Sequence, residues 1–231
     1  MINKIPWSKP CLLVGCVSTK AGLIHLGKTT SPADIVEVRL DIFKKAGVEL
    51  EIIEKALETR KRPVLLTLRT TDEGGVYPWK SRERVVLFHQ LIPKVDVIDL
   101  ELANAHLIRP ILKFARQAGC PIILSAHSLR RKLTLRKMDR LLREFRGYRA
   151  EVYKIVSMAR TKKDLGLLAL TLIDNPRTTL AIMGVGPMSA ASRMVLPILG
   201  SKLVYGYLDT PIFKEQPSIE QVAQSLGTFG V

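Results

Sequence analysis

Several residues combine chemistry-bearing types with settings in which they would be costly to leave idle. Lys154 stands in Val152-Tyr153-Lys154-Ile155-Val156, an apolar run that suits an ordinary solvated lysine badly. Burial disfavours an ammonium, and a neighbouring cation such as Arg39 or Arg69 would push the same way, freeing the amine to attack a carbonyl. His127 directly follows the apolar run 121–126, and Glu37, Arg39 and Asp41 alternate, which on a strand directs all three to one face. Arg69 precedes Glu73-Gly74-Gly75, and Asp99 alternates with Glu101. Each has a plainer reading on its own. Lys154 could be snorkelling or salt-bridged, His127 hydrogen-bonded in a loop, Glu37 paired with Arg39, and Arg69 paired with Glu73 or Glu101. Their joint occurrence at the ends of successive apolar runs argues for a task, because so many ionisable groups would be expensive to bury without one.

The elements that must position them recur along the whole chain. Eight short β-branched or Leu-rich runs, near residues 10–17, 35–40, 63–69, 95–102, 121–126, 151–157, 178–183 and 203–208, read as strands. Helix-like spacing fills the gaps at 50–60, 81–92, 105–118, 133–146, 162–173, 189–199 and 219–226, while the stretch around 21–26 is the weakest unit. Nearly continuous apolar strands separated by helices predict an α/β protein with a parallel sheet, and eight units favour closure into a (β/α)8 TIM barrel. Catalytic groups of such barrels lie at the C-terminal ends of the strands. No G-x-G-x-x-G or G-x-x-x-x-G-K-[ST] follows the first strand, so nucleotide binding by those routes is unsupported.

Composition bounds the rest. With 231 residues, 47% hydrophobic and 25% charged, the chain is expected to fold as one soluble domain over 1–231. Cys11, Cys16 and Cys120 form no C-x-x-C pair and have no His at ligand spacing, so a reducing, cytoplasmic setting with no metal is expected. The apolar run 12–17 is too short for a signal-peptide core, and no run approaches the roughly 20 residues of a membrane span, so no membrane partner is expected. The formal net charge of +15 demands a basic surface. Its densest part, Arg130 to Arg149, reads as an amphipathic helix with a basic outer face: a solvated face on the plainer view, a nucleic-acid or membrane footprint on the other. A field of this sign would also attract anionic metabolites.

In order along the chain, Glu37-Val38-Arg39-Leu40-Asp41 resembles an E-x-R-x-D strand, and Leu68-Arg69-Thr70-Thr71-Asp72-Glu73-Gly74-Gly75 resembles an R-x-x-x-E-G-G turn. Ile98-Asp99-Leu100-Glu101 resembles I-D-x-E, Ser125-Ala126-His127 a catalytic-histidine segment, Tyr153-Lys154-Ile155 a lysine strand, and Met183 with Ser192-Arg193 an M-x(8)-S-R pattern. The ordered set is similar to type I 3-dehydroquinate dehydratases. The resemblance implies a cofactor-free dehydration of 3-dehydroquinate, in which Lys154 forms the Schiff base, His127 is the general acid and base, and Glu73 orients the imidazole. It implies further that Arg193 holds the substrate carboxylate, that Glu37, Arg39 and Arg69 bond ring hydroxyls, that Met183 packs beside the imine, and that Gln216 belongs to a substrate-covering loop. A homodimer is the assembly the resemblance allows, and nucleic acid is not an expected partner.

Two stretches depart from the family pattern. Ser128 stands where an Asp usually follows the histidine, and Ile212-Phe213-Lys214-Glu215-Gln216 replaces S-A-P-G-Q, keeping only the glutamine. The loop thereby loses a serine hydroxyl and a glycine hinge, which predicts weakened or altered substrate retention with the chemical core intact. Two other readings remain open at this point: a Schiff-base aldolase on the same fold, and a non-catalytic basic barrel that binds nucleic acid.

Overall fold

The alternation of inward and outward side chains along eight short strands generates the architecture. The computed structural model describes residues 4–230, the side chains of 104–108 excepted. Its strands are β1 Leu12–Val17, β2 Ile35–Arg39, β3 Val64–Thr67, β4 Val97–Glu101, β5 Ile122–Ser128, β6 Val152–Met158, β7 Leu180–Val185 and β8 Leu203–Tyr207. All are parallel in the order β7-β6-β5-β4-β3-β2-β1-β8. Parallel neighbours need long crossovers, which here are mostly helical: α1 Leu40–Lys45, α2 Leu50–Glu58, α3 Ser81–Leu91, α4 Ala105–Gln117, α5 Leu135–Phe145, α6 Lys162–Ile173, α7 Ser189–Ile198 and α8 Ile219–Gly227. The α/β barrel expected from the strand count is the fold observed. The crossover from β1 carries only a 3-10 helix, Ala21–Gly27, in keeping with the weak pattern there.

Period-two alternation divides the interior into two zones. Leu12, Val14, Ile35, Leu65, Val97, Ile123, Val152 and Leu203 point inward and fill the N-terminal half of the barrel as one buried cluster. One step further along the same faces come Glu37, Thr67, Asp99, Ser125 and Lys154. The outward residues, among them Val36, Val38, Leu66, Ile98, Leu124, Ile155 and Ile182, pack under the helices in a second and larger core.

Some strand ends differ from the sequence reading. β2 stops at Arg39, opposite Thr67 at the end of β3, so no backbone partner remains to extend it. Leu40 therefore turns into α1 instead of closing the strand. Asp41 leaves the shared face expected for it and forms a two-pronged bond with Arg39, Nε to Oδ1 and Nη2 to Oδ2, both 2.9 Å. β3 also ends at Thr67, which places Arg69 just beyond the strand. β5 runs two residues further than expected and carries His127 on its final turn inward.

The barrel closes between β7 and β8 without a regular ladder. Lys202 N donates to Leu180 O at 2.7 Å, and Ile182 N donates to the Ser201 hydroxyl at 2.8 Å. A side-chain oxygen thus serves where a strand carbonyl otherwise would. Removing it strands a buried N–H, so Ser201→Ala is expected to destabilise the fold by about 1–3 kcal/mol; urea unfolding followed by circular dichroism measures this, with an unchanged slope.

Candidate active site

A buried file of alternating charges crosses the C-terminal end of the barrel. Arg84 Nη2 bonds Glu101 Oε2 at 2.8 Å, and Glu101 Oε1 lies 3.3 Å from Arg69 Nη1. Arg69 Nη2 is 3.1 Å from Asp99 Oδ1, while Asp99 Oδ2 is 3.0 Å from Lys154 Nζ. Ser125 donates a further bond to Asp99 Oδ1 at 2.6 Å. Burial by itself raises the Asp99 carboxyl, but Arg69 and then Lys154 outweigh it and hold the group well below the usual carboxylate range. The amine's charged partner is therefore a carboxylate, where the sequence reading looked to a cation. On its other side the Tyr205 ring face lies 4.2 Å from Nζ.

Glu73 reaches the site from the turn after β3. Gly75 N and Glu73 N both donate to Thr70 O, at 2.7 and 3.1 Å, and Gly74 adopts a φ of 88°, a left-handed conformation that glycine takes without strain. A side chain at Gly75 would collide with the Arg69 carbonyl. So folded, the turn sets Glu73 Oε2 2.6 Å from His127 Nδ1, with Arg69 Nη1 3.2 Å from the same nitrogen. Burial, followed by the charges of Arg69 and Lys154, pushes the imidazole well below its ordinary value. Burial also drives the Glu73 carboxyl up to about 8, against the opposing pull of Arg69. An Nδ1–H directed at a Glu73 carboxylate leaves Nε2 free to accept a proton.

Arg193 projects from α7 and is 3% exposed. Its Nε donates to Tyr205 O at 2.9 Å, and its Nη1 donates to Gly184 O, Ser189 O and Ser189 Oγ at 3.1, 3.0 and 2.6 Å. Neighbouring Ser192 accepts from Gly184 N at 3.0 Å and fixes α7 to β7. Carbonyls and a hydroxyl hold the guanidinium in place without neutralising it, and burial lowers it to about 10. Among the described residues it has no carboxylate partner, unlike Arg39, Arg69 and Lys154.

These groups face one cavity of about 470 Å³. The nine residues to which the family resemblance gives roles all line it: Lys154, His127, Glu73, Glu37, Arg39, Arg69, Arg193, Gln216 and Met183. Leu129, Val156, Met158, Val185 and Ile212 add apolar wall. Glu37 accepts from Thr67 Oγ1 at 2.8 Å and from Cys16 Sγ at 3.2 Å and forms no pair with Arg39. Gln216 Oε1 accepts from Ile212 N at 2.7 Å, so the glutamine staples its own loop, and Phe213 lies over Arg193 with its ring centre 5.3 Å from the guanidinium carbon. Ser128 donates to Arg131 O at 2.7 Å and closes the turn after β5. Asp99 was noted in the sequence without a role in the site, and Tyr205 was not singled out at all. The alternation on β4 already pointed to Asp99, whereas an aromatic on a strand reads as ordinary core. Among the described residues no group of three or more His, Cys, Asp or Glu is placed to hold a metal, and no helix is long and apolar enough to cross a membrane.

Comparison with known proteins gives this geometry its context. A family model described as Type I 3-dehydroquinase matches residues 11–231. The chain belongs to the type I 3-dehydroquinase family. The 3-dehydroquinate dehydratase of Methanosarcina acetivorans is 31% identical over 186 residues, covering 77% of each chain. That of Methanocella arvoryzae is 29% identical over 200 residues, or 86% of this chain and 89% of the relative. In structure, the Clostridium difficile type I 3-dehydroquinate dehydratase has the same fold, with a TM-score of 0.85, 21% identity, and coverage of 95% of this chain and 92% of that one.

Because Asp99 separates two buried cations, its charge is the element this arrangement can least lose. Asp99→Asn leaves Arg69 and Lys154 facing each other without it, and a loss of about 3–5 kcal/mol in unfolding free energy is expected, measurable by denaturant titration against Ser125→Ala as a milder control.

Proposed function

We propose that this chain dehydrates 3-dehydroquinate to 3-dehydroshikimate through a Schiff base on Lys154. The observation that carries the reading is Arg193: a buried guanidinium with no acidic partner among the described residues, opening on the cavity that also holds the amine. A planar guanidinium is suited to a carboxylate, so a carboxylate substrate would complete its pairing.

From that anchor the chemistry follows the side chains at hand. Lys154 passes one ammonium proton to His127 Nε2, the freed amine adds to the ring ketone, and return of that proton to the carbinol oxygen expels water to leave an iminium that acidifies the adjacent C–H and accepts its electrons. His127 Nε2 takes the C–H proton, with Glu73 holding Nδ1–H and stabilising the imidazolium. The electrons return to expel the hydroxyl on the next carbon, and His127 delivers the proton to it as water leaves. Addition of water to the remaining iminium frees the product and restores the amine, so the net change is loss of one water. Asp99 faces the charge that Lys154 carries before and after condensation. Glu37, Arg39 and Arg69 would hold ring hydroxyls, Met183 would pack beside the imine, and Gln216 would keep the covering loop folded. Three free, buried cysteines suit a reducing compartment, in line with a cytoplasmic enzyme.

Borohydride reduction in the presence of 3-dehydroquinate, followed by intact mass and peptide mapping, is expected to fix an adduct on Lys154. Absence of that adduct under conditions that trap a known type I enzyme would refute the proposal. The pH dependence has a definite sign. The Glu73 carboxyl, raised to about 8, is protonated below that pH and ionised above it, while His127 stays neutral on both sides. The base-competent pair therefore accumulates as pH rises, so kcat/KM should climb towards a plateau above about 8, and Glu73→Gln should flatten that rise while lowering kcat roughly 10²-fold or more. Initial rates across pH 6–10, an interval of about two units either side of the transition, measure both effects.

A further inference from the structure

A second concavity, of about 390 Å³, adjoins the mouth of the reaction cavity, and Met158 lines both. Its walls carry Arg130, Arg131 and Lys132 from the loop after β5 and Arg160 from the loop after β6, against one carboxylate, Asp164. Asp164 is already occupied. It accepts from Arg160 N and Thr161 N at 3.0 Å each as part of the α6 cap, and it pairs with Lys132 at 3.2 Å. Arg130, Arg131 and Arg160 have no ion-pair partner among the described residues. Their loop is nonetheless held at both ends, by Ser128 Oγ donating to Arg131 O at 2.7 Å and by Leu133 N donating to Ser157 Oγ at 3.0 Å.

The geometry points to this cluster as an anion-collecting rim: a weak docking site for carboxylate or phosphate oxyanions that draws the anionic substrate to the mouth and passes it over Met158 towards Arg193. The inference rests on the proposed carboxylate substrate for its role in turnover, whereas its anion binding can be tested separately. An exposed arginine contributes little as a single pair. Several unpaired cations around one concavity act together as a field, which raises the local concentration and arrival rate of an anion. The outer face of α5 carries three arginines, Arg136, Arg140 and Arg143, of which Arg140 pairs with Glu144 at 2.8 Å, and it lines neither cavity. Position thus separates a local rim from the effect of net charge.

Two triple variants with the same charge change decide between them, R130Q/R131Q/R160Q at the rim and R136Q/R140Q/R143Q on α5. Steady-state turnover of 3-dehydroquinate is measured from about 10 to about 100 mM salt, over which the screening length contracts from about 30 to about 10 Å. The expected result is a wild-type kcat/KM that falls with salt at constant kcat. The rim variant should start roughly 3- to 10-fold lower in kcat/KM, lose most of the salt dependence and keep its kcat. The α5 variant should behave like wild type. Equal losses in both variants, an unaltered rim variant, or a loss confined to kcat would overturn the rim. If the wild-type protein does not turn over 3-dehydroquinate, the functional reading fails by itself, and titration with inorganic phosphate decides the rim. Saturable shifts of the Arg131 and Thr161 amide NMR signals in wild type, abolished in the rim variant, then support it, and their absence overturns it. Matching thermal midpoints establish that both variants are folded.

Discussion

Asp99 lies between two buried cations, and much of the reaction chamber depends on that alternation of charge. Arg69 and Lys154 each sit about 3 Å from one of its oxygens, at 3.1 and 3.0 Å. Without the carboxylate the two would repel each other in a region that screens poorly. The pattern extends outward through Glu101 to Arg84 and sideways through Arg69 to the His127–Glu73 pair. A buried ionic network of this kind gives uncertain net stability, because desolvation offsets much of the attraction. What it secures is placement, since every member has a fixed neighbour that limits its rotation. Positioning of reacting groups is worth more to catalysis than the same groups held loosely.

The barrel makes this affordable by separating two duties along its axis. Inward residues of the N-terminal half are uniformly apolar and close-packed, whereas those of the C-terminal half carry the charges. Stability therefore rests on one end and on the larger core beneath the helices, and the other end is free to hold groups that a folding optimum would avoid. Arg193 is the clearest case. Its side chain is bonded to carbonyls and a hydroxyl, which position the guanidinium but leave its charge to be met by something that enters the cavity.

The covering loop and the turn after β5 show how family departures are accommodated. Gln216 closes its loop onto Ile212 N, and Phe213 lies over Arg193, so the altered segment is folded across the site with apolar groups and an acidic Glu215 where the usual motif is small and polar. Ser128 fulfils a local role by bonding Arg131 O, which secures the turn that presents the arginines beside it. Both changes bear on how a substrate arrives and is held, and neither touches the Asp99–Lys154 or Glu73–His127 contacts.

The sequence by itself pointed to the fold class, because eight apolar runs with helices between them have few parallel arrangements, and their number favours closure. It also determined which residues meet: period-two alternation sends Glu37, Asp99, Ser125 and Lys154 inward whatever the loops do. Strand ends were less legible. Asp41 fits the alternation as well as Arg39 does, and only the absence of a ladder partner beyond Thr67 turns it into a helix. Partner choice was decided by the tertiary structure alone. Whether Lys154 faces a cation or a carboxylate depends on the stagger between β3, β4 and β6, and whether Arg193 is paired depends on residues up to twelve positions away in sequence that supply carbonyls instead of acids. Charge pairing acts over about 3–4 Å, and distances of that size are fixed by strand stagger and loop path, which local periodicity does not encode.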